Sequence, residues 1–307
     1  MRSSVRWPEV ALLYCAAIWG STFYIVRDVV AELHPLTLIG WRFTIAGLLL
    51  LPFVLGASVA RRTLQHLPRG GRPTPDTFAG PILGLIIFVL YAAQTWGLVY
   101  TTAANSAFIT GLFIIFMPPF AFVLHRELPG GMRLLAVAIA VGGLYLLTGG
   151  IGGLNRGDLL TLIAAALYAL HVLLTGRAMA RGSDPLLIAC QQMLVCGALG
   201  FGGAMLLGAP LSMGSRHVAL MVWFLALLPT LSAYLLQLYA QRRVDALRTA
   251  LIFTLEPVFG AAFAWTLGGE KLVALSAIGG LLIVIAMFVS ELQVVTKEDD
   301  PVSGNFV

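Results

Sequence analysis

The sequence predicts an all-α integral membrane protein of ten transmembrane helices, built as two five-helix repeats of inverted topology around a central cavity. Three observations carry this. Of the 307 residues, 59% are hydrophobic and 11% charged, against about 25% charged in soluble globular domains. Apolar runs recur ten times, at 8–29, 36–57, 79–100, 104–125, 132–150, 157–180, 185–207, 218–241, 247–267 and 273–294, each close to the ~20 residues that cross a bilayer as a helix. Finally, the chain repeats itself. Tyr91-Ala-Ala-Gln94 recurs as Tyr234-Leu-Leu-Gln237, and residues 91–127 laid over 234–270 without a gap agree at 11 of 37 positions.

The first run continues well past the length of a signal-peptide apolar core, so it is read as a membrane span rather than a leader. It holds Trp19-Gly-Ser-Thr-Phe23 and ends at Arg27 and Asp28. The second begins after His34-Pro35 and carries Arg42 about two turns in, which suits an interfacial anchor or a partner of Glu or backbone carbonyls better than a substrate ligand. Residues 58–78, rich in Arg, Gly and Pro, read as the longest connection. The third run holds Tyr91 and Gln94. In the fourth, Met117-Pro118-Pro119 interrupts the apolar sequence; two prolines remove two backbone donors, tolerated at membrane depth where protein or a wet cavity satisfies the freed groups. The fifth ends at Thr148-Gly-Gly-Ile-Gly-Gly153, a joint near mid-chain.

The second half repeats the order. Trp19 answers Tyr168 and Thr22 answers His171; Glu256-Pro257 lies inside the ninth run, and Gly142-Gly143 answers Gly279-Gly280. The boundaries are 1–150 for the first repeat, 151–296 for the second and 297–307 for a cytoplasmic tail. Five spans per repeat is an odd number, so the second repeat lies upside down relative to the first. That is the plan of secondary transporters, whose solute site sits near the midplane between repeats.

On one side of the ten-span plan lie 14 Lys and Arg, including Arg61, Arg62, Arg181, Arg242 and Arg243, and on the other Arg27, Arg156, Arg216 and Lys271. By the positive-inside rule both termini face the cytoplasm. These basic residues sit singly or in pairs, without the patch that nucleic acid would need. Cys15, Cys190 and Cys196 lie in apolar runs, which gives neither a disulfide framework nor a metal-ligand pattern. No cofactor is implied, and no hydrolase or intramembrane-protease motif supports an enzyme. Nothing in the sequence sets the oligomeric state; a monomer is compatible with it.

The five-plus-five plan, Trp19-Gly-Ser-Thr-Phe23, Ala107 onward to His125-Arg-Glu-Leu128, and Leu255-Glu-Pro-Val258 followed by Gly268-Gly-Glu-Lys-Leu272 resemble the EamA family of the drug/metabolite transporter superfamily, over residues 8–295. Within it the chain is similar to YddG-type aromatic amino-acid exporters. The resemblance implies a ten-helix basket with a central cavity, location in the bacterial inner membrane, and export of small metabolites, in particular aromatic and other neutral amino acids. The fourth run departs from the pattern: Phe113-Ile114 stands where the ninth has Glu256-Pro257.

Positions three and four apart share a helix face. The eighth run therefore presents Thr230, Tyr234, Gln237 and Gln241 as one stripe, and the sixth presents Thr161, Tyr168, His171 and Thr175. Such stripes either glue helices together or line a cavity. The recurrence of Tyr-x-x-Gln in both halves favours a cavity for Tyr91, Gln94, Tyr234 and Gln237, joined by Tyr168 and His171. His171 is either an interhelical hydrogen-bonding group or a titratable cavity group. Glu256, an acid deep in an apolar run, is a candidate with His171 for proton coupling, or a cap for backbone groups freed around Pro257. Trp19 and Phe108, like Tyr24, Trp96 and Tyr239, offer ring faces. Amides, hydroxyls and rings suit a neutral or zwitterionic solute; a broad drug/metabolite efflux pump is the alternative reading.

Overall fold

A computed structural model describes residues 7–63, 78–125, 131–150, 153–244 and 246–298. The connection expected around residues 58–78 lies mostly outside the described residues, as do Arg126 to Leu128 of the His-Arg-Glu-Leu motif and nearly all of the expected tail. Among the described residues there is no strand. The helices are α1 (Trp7–Val29), α2 (Pro35–Thr63), α3 (Ala79–Tyr100), α4 (Ala103–Gly111), α5 (Phe113–His125), α6 (Gly131–Thr148), α7 (Arg156–Ala180), α8 (Pro185–Leu206) and α9 (Arg216–Leu225). A π-helical segment (Ala226–Ser232) joins α9 to α10 (Ala233–Ala240), and α11 (Ala246–Phe253), α12 (Glu256–Thr266) and α13 (Ala274–Glu298) follow.

Eight stretches among the described residues are long and apolar enough to cross a membrane. The fifth and tenth expected runs are helical but carry shorter apolar stretches, Leu135–Thr148 and Ala274–Val289. Their helices, α6 and α13, lie side by side. A Cβ on Gly143 would come within 2.8 Å of the Gly279 carbonyl oxygen, and one on Gly279 within 2.6 Å of the Gly143 carbonyl. Backbone contact through small residues is how helices associate where lipid removes the hydrophobic drive. The same device joins α1 to α12, where a Cβ on Gly20 would meet Phe259 Cβ at 2.6 Å.

Three spans are interrupted among the described residues: around Pro229 in the eighth run, but away from the Pro118-Pro119 pair in the fourth. Pro118 and Pro119 both remain inside α5; the break falls at Leu112, whose N–H turns to the Ile109 carbonyl at 3.0 Å. In the ninth run the break falls at Thr254–Leu255, and the Leu255 N–H bonds the Ile252 carbonyl at 3.2 Å. Glu256 and Pro257 therefore open α12 at its first turn rather than sitting mid-helix, a position where proline's missing donor costs nothing and a carboxylate meets the positive end of the helix dipole. The eighth run contains the π-helical turn around Pro229. Proline cannot donate to the ladder, and a carbonyl in this turn is taken up from outside: Trp19 Nε1 donates to Pro229 O at 2.6 Å.

Candidate functional site

Six helices converge on a cavity lined by Trp19 and Thr22 of α1, Leu90, Tyr91 and Gln94 of α3, Thr110 of α4, Tyr168 of α7, Tyr234 of α10 and Glu256 of α12. Its volume is about 20 Å³, room for roughly one water. Ring packing closes it. Trp19 lies 5.3 Å from Tyr234 and 5.1 Å from Phe253, and Phe113 lies 4.6 Å from Tyr168, centroid to centroid.

Its polar atoms are paired inward. Tyr234 Oη donates to Tyr91 Oη at 3.1 Å. Tyr168 Oη donates to Glu256 Oε2 at 2.9 Å, and Gln94 Nε2 donates to Thr110 Oγ1 at 3.0 Å. The Thr22 hydroxyl returns to the Trp19 carbonyl at 2.7 Å. Glu256 is buried, so its carboxylate faces this cluster rather than solvent.

Of the residues singled out from sequence, Tyr91, Gln94, Tyr234, Tyr168, Trp19 and Glu256 meet at this one cavity. The other three lie elsewhere. His171 is buried one layer out, edge-on to Tyr234 with centroids 6.1 Å apart, its Nε2 paired with Gln192 Oε1 at 3.2 Å. Gln237 is 1% exposed, and among the described residues neither atom of its amide has a hydrogen-bond partner. Phe108 lines a separate space of about 540 Å³ with Trp265, Asn105, Arg27, Glu270 and Lys271.

Arg42 departs furthest from the sequence reading. It is no interfacial anchor: it is 2% exposed, its guanidinium lies 4.7 Å above the Tyr91 ring centroid, and its Nε donates to Thr230 Oγ1 at 2.5 Å. Spacing from the helix start gave its depth but not the face it turns, which the contact of α2 with the π-helical segment decides. Glu270, which the sequence marks only as part of the Gly268-Gly-Glu-Lys-Leu272 motif, has a defined place in the structure. Its carboxylate accepts the Ala103 and Ala104 N–H groups at 2.6 and 3.0 Å and pairs with Arg27, tying the loop after α12 to the start of α4. The free donors at a helix start make that position a natural partner for an acid, a signal available from Thr102-Ala-Ala alone.

A multi-pass helical membrane protein with a buried polar and aromatic centre has the form of a membrane transporter. The chain belongs to the EamA-like transporter family, whose model matches it twice, at residues 6–149 and 155–292. It is similar to an uncharacterized transporter of Archaeoglobus fulgidus, 28% identical over 288 residues that cover 94% of this chain and 87% of that one. It is also similar to the uncharacterized inner membrane transporter YedA of Escherichia coli strain K12, 26% identical over 269 residues, covering 85% and 83%. A solved crystal structure matches with a TM-score of 0.65 at 18% identity, covering 96% of this chain and all of that one, a likeness of fold.

Proposed function

We propose that the chain is a secondary transporter that exports small neutral or zwitterionic metabolites, foremost aromatic and other neutral amino acids, across the bacterial inner membrane by alternating access. The carrying observation is the Tyr234–Tyr91 hydrogen bond: equivalent tyrosines of the two halves meet over a cavity whose walls come from both family-model matches. The two halves are inverted five-span repeats in this reading. Supporting it, the backbone breaks at Leu112 and Leu255 fall at aligned places, and α6 and α13, the closing helices of the two halves, pack on each other through one glycine of each aligned Gly-Gly pair, Gly143 and Gly279. Both termini are cytoplasmic, on the side of Arg181, Arg242 and Arg243.

A cavity of one-water size holds no amino acid, so the site must widen to take one. Solute enters when one half takes the arrangement the other leaves. Ring faces bind an apolar side chain, and hydroxyls and amides bind its polar end. The reading is tested by uptake of radiolabelled L-phenylalanine into proteoliposomes: saturable flux above protein-free liposomes supports it, and flux equal to the blank contradicts it. Because Glu256 is a lone acid among aromatic walls, a lipophilic cation is the second reading, that of a broad drug/metabolite efflux pump. Thermal stabilisation by tetraphenylphosphonium without stabilisation by amino acids would favour it.

A further inference from the structure

Arg42 is a buried cation without a counter-ion. Among the described residues no carboxylate pairs with it, and its Nη2 has no hydrogen-bond partner. What surrounds it is the Thr230 hydroxyl and the ring faces of Tyr91 and Phe43, 4.7 and 5.4 Å from the guanidinium carbon. A guanidinium keeps its proton in proteins, so the charge cannot be relieved by deprotonation, and a hydroxyl with two ring faces compensates it only in part. Charged residues placed this way in membrane helices mark solute and ion paths.

Tyr91 links this cation to the cavity. Its ring carries Arg42, its side chain lines the cavity, and its hydroxyl is held by Tyr234. In the same cavity wall sits Glu256, whose carboxylate has one described partner, the Tyr168 hydroxyl. A cation with an open donor and an acid with a single neutral donor thus flank one tyrosine cluster.

We propose that Arg42 binds the carboxylate of the transported solute and Glu256 its ammonium group, so that the site selects zwitterionic α-amino acids over amines and simple carboxylic acids. The proposal rests on the transporter reading above and names the solute's charged ends. When the Tyr91–Tyr234 bond opens, Tyr91 leaves the space between Arg42 and the cavity. The guanidinium then meets a carboxylate through Nη2, in the planar geometry that Arg offers and Lys does not, while the ring faces of Trp19 and Tyr168 receive the side chain. The solute's carboxylate gives the Arg42 cation the counter-ion it lacks, and the solute's ammonium group donates to the Glu256 carboxyl.

The test uses purified full-length protein and three probes: L-phenylalanine, L-phenylalaninamide, which lacks the carboxylate, and 3-phenylpropionate, which lacks the amine. Charge-assisted hydrogen bonds of this kind support about 10- to 100-fold discrimination. Wild type is expected to bind phenylalanine at least about 10-fold more tightly than either analogue. Arg42→Met should lose phenylalanine affinity by that factor while its affinity for phenylalaninamide changes less than about threefold, and Glu256→Gln should spare 3-phenylpropionate in the same way. Equal losses for all probes in Arg42→Met would make Arg42 a packing residue and overturn the proposal, as would no loss. Should Arg42→Met fail to fold, the wild-type series decides: phenylalaninamide bound as tightly as phenylalanine overturns the charge assignment and leaves the transporter reading standing. Failure of wild type to bind any of the three sinks the amino-acid reading itself.

Discussion

The hydroxyl of Tyr234 donates to that of Tyr91 at 3.1 Å, across 143 residues of sequence. Both side chains are buried, and the bond joins α10 to α3 directly over the cavity. A neutral hydrogen bond of this kind contributes about 1 kcal/mol net, strong enough to bias a conformational equilibrium and weak enough to break on each cycle. Tyr91→Phe and Tyr234→Phe should each lower thermal stability by about 1 kcal/mol. The double variant should cost clearly less than the sum, with a coupling of about 0.5–1.5 kcal/mol in a double-mutant cycle of detergent-solubilised protein. Additive losses would mean that the two hydroxyls do not touch in the populated state.

Gln237 lies one turn beyond Tyr234, and among the described residues both its amide atoms are unpartnered. A buried amide without partners costs about 1–3 kcal/mol, so Gln237→Leu, of similar size, is expected to leave the melting temperature unchanged or raise it. Transport should nonetheless fall at least about tenfold, because the amide finds its partner, water or solute, in the open state. Retained transport together with higher stability would show that Gln237 has no part in the path.

Glu270 holds the start of α4. Glu270→Ala removes the acceptor for the Ala103 and Ala104 N–H groups and the ion pair with Arg27. The cap should dominate, at about 1–2 kcal/mol, since the Arg27 side chain is 43% exposed and a solvated pair contributes little. Glu270→Gln keeps an acceptor and should recover at least half of the loss in thermal unfolding. An equal loss in both variants would give the ion pair the larger share.

Adjacent glycines on α6 separate close packing from helix propensity. A Cβ on Gly143 meets the Gly279 carbonyl oxygen at 2.8 Å, whereas one on Gly142 meets nothing within 4 Å. Gly142→Ala should be neutral or stabilising by up to about 1 kcal/mol. Gly143→Ala should destabilise by about 1–3 kcal/mol, read by thermal unfolding. Similar outcomes at both positions would contradict the direct contact of α6 with α13.

What the sequence disclosed of the site is what polarity against an apolar background can disclose. Tyr91, Gln94, Tyr168 and Tyr234 stand out as polar groups inside apolar runs, and Trp19 stands out through its motif; these residues do meet. Depth and azimuth are another matter. Arg42 is seven residues past the start of α2, a spacing that suits snorkelling, yet the helix turns it inward onto Tyr91. Phe108 and Gln237 share a run with cavity residues, but Phe108 lines the outer space beside Trp265 and Gln237 is not among the residues lining the central cavity. The breaks show the same limit: Pro118 and Pro119 are plain in the sequence, but the chain yields at Leu112, the place aligned with Leu255, whereas the π-helical turn does form around Pro229, so a proline alone does not say where a helix opens.

The most direct test of the account is the initial rate of radiolabelled L-phenylalanine flux in proteoliposomes holding wild type or Arg42→Lys. The account predicts saturable wild-type flux and, in Arg42→Lys, a KM raised about tenfold or more with folded protein at the wild-type level, since the charge stays while the planar fork is lost. Wild-type flux no greater than that of empty liposomes, or identical kinetics in the two proteins, would contradict it.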